Sequence, residues 1–173
     1  MTDEPDIARR RLLLAGLALG VITPAEAQSM RNRLRPDPAE MALLSTGTLA
    51  YVTSVHALQV SRNPDVQRFA QSEIAEQQGI SQAVTGSPTP NAPLTPEGRA
   101  ILAEARQTPP PAADRLYIGR QIQGHQQLYA LATSYAANGP DRRVAAIAQS
   151  AVPLIQNHLG ILNQIYPRVS MMG

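Results

Sequence analysis

The chain has 173 residues, with 15 basic residues against 13 acidic ones, a formal net charge of +2 and no cysteine. The missing thiols exclude disulfides, thiolate metal sites and cysteine nucleophiles, and the length suits one domain with one core. Every basic residue is arginine, most of them set singly or in pairs, and only five Tyr and one Phe could stack on bases. This pattern counts against nucleic-acid binding and leaves, at most, peripheral contact with an anionic membrane surface.

The first 27 residues read as a cleavable export signal. Arg9-Arg10-Arg11 precede an apolar run from Leu12 to Ile22, followed by Pro24 and the small-x-small site Ala25-Glu26-Ala27. The run is too short to anchor in a bilayer. Cleavage after Ala27 places the protein in the periplasm, by the twin-arginine or the general secretory route. A flexible leader, residues 28–36, then leads to a helical domain over residues 37–167.

Asp37-Pro38-Ala39-Glu40 combines an N-cap, a proline at the first helical position and a glutamate able to cap back, so a helix begins there and runs to about Ser61. Its expected inner stripe is Leu44, Thr48, Tyr51, Val55 and Leu58. Asn63-Pro64 repeats the start signal, so a second helix doubles back on the first, with Val66, Ala70, Glu73, Gln77, Ile80 and Val84 inward and a stop at Gly86. Seven prolines between Pro88 and Pro111 mark a long crossover with room for a short helix from Pro96 to about Gln107. The third long helix spans about Ala113–Ala137, facing inward with Ile118, Ile122, His125, Tyr129, Ala132 and Tyr135. Asn138-Gly139-Pro140-Asp141 turns the chain into the fourth, which reaches about Tyr166, carries the seam Val144, Ile147, Ala151, Leu154, His158, Ile161 and Ile165, and should bend at Pro153. The expected fold is all-α: two antiparallel hairpins joined by a proline-rich crossover, the topology of a ferritin-like four-helix bundle.

Gly47, Ala57, Asn63-Pro64-Asp65-Val66 with Phe69-Ala70, Tyr117, His125, and Val152-Pro153-Leu154 with His158-Leu159 together resemble an exported bacterial ferritin-like domain-of-unknown-function family, whose members are described as outer-membrane or periplasmic proteins. The resemblance covers roughly residues 40–166. It implies a signal-bearing helical bundle in the cell envelope and no established reaction. Where relatives commonly carry a glutamate after the first-helix glycine this chain has Ala50; where they carry Asp-His late in the second helix it has Glu76-Gln77; the comparable pair in the third helix is Gly124-His125.

A binuclear iron or manganese centre needs Glu-x-x-His on its helices. Here Ile122 and Ile155 stand three residues before His125 and His158, so no such centre is expected. His125 and His158 should lie about one turn out of level, roughly 6 Å, close enough to converge with Glu73. One reading makes them core histidines hydrogen-bonded to Tyr129, Tyr117, Gln121 or a freed carbonyl; the other makes the three a single transition-metal site. Glu73 and Gln77 are expected at the solvent edge of their stripe, and burial would raise the Glu73 pKa. No serine occupies a nucleophile turn, and no catalytic residue or cofactor is expected. The leading functional expectation is a non-catalytic envelope module acting through a protein partner or self-association; the alternative is a histidine-based single-metal protein.

Overall fold

The computed structural model describes residues 36–171. The expected signal over residues 1–27 and nearly all of the leader lie outside them. Among the described residues there are five helices and no strand: α1 Pro38–Val60, α2 Pro64–Thr85, α3 Pro96–Gln107, α4 Ala112–Asn138 and α5 Arg142–Ser170.

The helix starts follow from local chemistry. Asp37 accepts hydrogen bonds from the Ala39 and Glu40 N–H groups at 2.8 and 3.1 Å. Asn63 does the same for Asp65 and Val66, Thr95 for Gly98, and Asp141 for Arg143 and Val144. Each occupies N–H groups that a helix start leaves without partners. Gly86 ends α2 at φ 78, in the left-handed region where a side chain is strained. Contrary to the expected stop near Tyr166, α5 runs through both Pro153 and Pro167 to Ser170. Both prolines are exposed, on the side where carbonyls freed from the hydrogen-bond ladder can reach water.

The long helices form a ring in which α1 packs on α2 and α4, and α5 packs on α4 and α2. The pairings are antiparallel: Tyr135 near the end of α4 donates to Asp37 at the start of α1, Arg143 at the start of α5 reaches the Ala83 and Val84 carbonyls at the end of α2, and Arg168 at the end of α5 pairs with Asp65 at the start of α2.

Two expected faces are rotated. The buried residues of α1 are Ser45, Gly47, Thr48, Ala50, Thr53, Ser54 and Ala57, so of its expected stripe only Thr48 is fully inside. Small polar side chains let α1 approach its neighbours closely, and Thr53 and Ser54 return their hydroxyls to carbonyls one turn earlier. The α5 seam is Val144, Ala148, Ile155, His158, Leu162, Ile165 and Val169, while the expected Leu154 and Ile161 are 47% and 38% exposed. Tyr129 of α4 also faces outward.

The apolar core is in two parts. Val66, Phe69, Tyr117, Ile118, Leu162 and Ile165 belong to the one toward the α1–α2 turn, and Leu128, Ala132, Tyr135, Val144 and Ile155 to the one toward the α4–α5 turn. Glu73, His125 and His158 are buried between them.

Candidate metal centre

One residue from each of three helices builds the layer between these clusters. Glu73 of α2 is 0% exposed, His125 of α4 2% and His158 of α5 3%. Glu73 Oε2 lies 3.0 Å from His158 Nδ1 and 3.2 Å from His125 Nε2, and the two nitrogens are 3.1 Å apart. The Phe69 ring packs edge-on against both imidazoles, with centroids at 5.9 and 5.1 Å. The three residues named from the sequence thus come together. The expected placement of Glu73 and Gln77 at the solvent edge is corrected: both are buried, and Gln77 Nε2 donates to Glu73 Oε1 at 2.9 Å.

Each triangle member is held by a further group. His125 Nδ1 donates to the Gln121 carbonyl at 2.8 Å, which fixes its tautomer and turns the Nε2 lone pair inward. His158 Nε2 lies 2.9 Å from Glu76 Oε1, so Nδ1 faces the triangle. Gln77 orients the carboxylate, and its own side chain is set by Gly47, where a Cβ would stand 2.5 Å from Gln77 Oε1. On the other side of Gln121, its side-chain amide donates to Thr53 Oγ1 at 3.1 Å, and Tyr117 shares a 2.8 Å hydrogen bond with Ser54. The roles anticipated for Tyr117 and Tyr129 as histidine partners are corrected. Tyr117 serves Ser54, and Tyr129 accepts from Gln156.

Burial raises the Glu73 pKa, as expected of desolvation, but the hydrogen bonds and charges of His125 and His158 outweigh it and hold the carboxyl down at about 2. The anticipated upward shift is therefore corrected in sign. For His158, burial acts downward and is overcome by hydrogen bonds and charges from Glu73 and Glu76, which push it up to about 9. A 3.1 Å N···N contact is a hydrogen bond only when one nitrogen keeps its lone pair. One proton on His158 Nδ1, shared between Glu73 and His125, satisfies the whole triangle.

The same three atoms could hold a metal ion. Ligand atoms about 2.1 Å from a cation lie roughly 3.0 Å apart when they share an octahedral face and about 3.4 Å apart in a tetrahedron. Edges of 3.0, 3.1 and 3.2 Å fall within that interval. Glu76, missed in the sequence reading, could have been found from its spacing, since it lies one turn from Glu73 on the same side of α2.

The profile of the domain of unknown function DUF4142 matches residues 23–165. The chain belongs to the DUF4142 family. Membership in DUF4142 assigns no reaction to these residues, and the match takes in all three triangle positions. No curated protein and no solved structure matches the chain.

Proposed function

We propose that this DUF4142 protein binds a single divalent first-row transition ion through Glu73, His125 and His158, within a ferritin-like four-helix bundle exported to the cell envelope. One observation carries the metal reading: Glu73 Oε2, His125 Nε2 and His158 Nδ1, the last a ligand once its proton is displaced, lie at cis-ligand separations, and each parent side chain is oriented by an outer partner, Gln77, Gln121 or Glu76. Outer partners of this kind fix tautomer and orientation in metal sites. Two imidazoles and one carboxylate without thiolate suit Zn(II), Fe(II), Mn(II) or Co(II), and a facial set leaves coordination positions open. The signal-like N-terminus and the family resemblance support the envelope placement.

The test is cobalt(II) titration of chelator-treated protein, followed by d–d absorption and by zinc competition. Near-stoichiometric uptake is expected, with His125→Ala and His158→Ala each weakening it at least 100-fold. Less than one-tenth equivalent bound by the wild type, or unchanged uptake in both variants, overturns the assignment.

A second reading, an interaction module, is favoured by a different observation. Leu154, Ile161 and Tyr166 stand exposed along α5, with Tyr129 exposed on α4; such a patch suits a partner or a second copy. Leu154→Ser with Ile161→Ser should convert any self-associated protein to monomer in light scattering. An unchanged mass distribution removes this reading.

A further inference from the structure

A cavity of about 270 Å³ lies inside the helical ring on the α4–α5 turn side of the triangle. Its position follows from helix geometry. Gln77, Leu128 and Ile155 all line it, and each stands three or four residues, one helical turn, from Glu73, His125 and His158 respectively. The space exists because Gly47, Ala132, Ala148 and Ala151 present small side chains where larger ones would close it. The remaining walls are mostly aliphatic, and three of the polar side chains among them are engaged: Thr48 accepts from the Ala92 N–H, Gln77 donates to Glu73 and Thr85 donates to the Ser81 carbonyl. A cavity whose walls offer water so few partners is a place for an apolar ligand.

The open end has a definite charge. Among the lining residues Glu40 is the charged one. Burial and the neighbouring Asp37 and Asp141 carboxylates raise its pKa, against the opposing pull of Arg143 and a hydrogen bond from the Asp37 backbone. The Arg143 guanidinium keeps its charge but is held by the Ala83 and Val84 carbonyls, and it is not among the lining residues. An anionic head group would meet the Glu40 carboxylate there, with Asp37 and Asp141 close behind it, whereas a cationic one would find a counter-ion. A cavity of about 150 Å³ accommodates a six-carbon ring, so this one has room for a chain of roughly ten carbons.

We propose that the cavity is a binding site for an aliphatic chain with a cationic head group, an alkylamine of about ten carbons, its tail against Leu128, Ala148 and Ile155 and its ammonium at Glu40. This site adjoins the metal assignment at Gln77 but does not depend on it.

The experiment is isothermal titration of the full chain with decylamine, decanol and decanoate below their micellar concentrations at pH 7.5. Decylamine should bind 1:1, at least tenfold tighter than decanoate, and Glu40→Gln should narrow that gap. Ala148→Phe fills the cavity and should abolish decylamine binding; Ala132→Leu, a milder filling, should weaken it at least tenfold. Helical circular dichroism shows whether each variant folds. No saturable heat with decylamine, tighter binding of decanoate, or wild-type affinity in a folded filled variant overturns the proposal. Cobalt uptake in the same samples separates this outcome from that of the metal reading: decylamine binding that survives His158→Ala with cobalt binding lost supports two independent sites.

Discussion

The buried triangle makes pH a probe of single residues. Glu73 has a depressed pKa, so its contribution to stability is present above about 4.5 and is lost as pH falls toward about 2. His158 has a raised pKa, so its contribution is complete below 6.5 and is lost as pH rises through about 9. These are two views of one ion pair and do not add. Chelator-treated protein should therefore be most stable between about pH 4.5 and 6.5 and should lose melting temperature toward pH 9; a flat profile over pH 6–9 contradicts the assignment. Glu73→Gln removes the anion while leaving His158 buried, and is expected to cost about 3–5 kcal/mol in chemical denaturation. Farther along the core, Tyr135 is buried with its hydroxyl 2.7 Å from Asp37 Oδ2. Tyr135→Phe should cost about 1 kcal/mol with helix content unchanged.

At the scale of the element, the helix ends are the part of the structure most legible in the chain. Asp37-Pro38, Asn63-Pro64, Thr95-Pro96 and Asp141 each act within one turn, and the observed starts follow them. Gly86, at φ 78 with open space around it, should tolerate alanine only at a conformational cost of about 1–2 kcal/mol, measurable by denaturant titration. Helix faces were harder to read, for two physical reasons. On α5 apolar residues form interleaved stripes, Ile147-Leu154-Ile161 beside Ala148-Ile155-Leu162, and spacing alone does not say which turns inward. On α1 the inward face is small and hydroxylated because its neighbours come close, while Leu43, Leu44, Leu49, Val52 and Val55 are only partly covered. The candidate site was legible as three residues and not as a network. His125 and His158 stand out by their rarity, whereas the Gln121 carbonyl is a backbone group with no residue signature, and Glu76 is marked only by its one-turn spacing from Glu73.

For the molecule as a whole, the polar layer divides the interior into two apolar clusters that differ in packing. The cluster toward the α1–α2 turn holds Phe69 and Tyr117 in contact, with ring centroids 6.3 Å apart, while the cluster on the other side borders the cavity. Ala148→Leu should therefore raise the melting temperature by occupying free volume, whereas Ala70→Leu, at a position with 0% exposure, should lower it by overpacking. Calorimetry of the pair distinguishes the two halves; equal losses would show that both are packed to the same density.

The route of the crossover bears on the outer side of α1. Gly98 of α3 lies against Leu49, the His56 ring meets the Ala105 carbonyl at 3.1 Å, and the Ala92 N–H is tied to Thr48. Among the described residues, α1 alone is long and apolar enough to cross a bilayer, with a mean hydropathy of 1.2 in its most apolar window. Residues 87–111 thus act as an awning over a helix whose outward side chains water would otherwise wet. Replacing them with a glycine-serine tether of equal reach would preserve connectivity and strip that shelter, and the variant should clump or seek detergent more than the parent chain does.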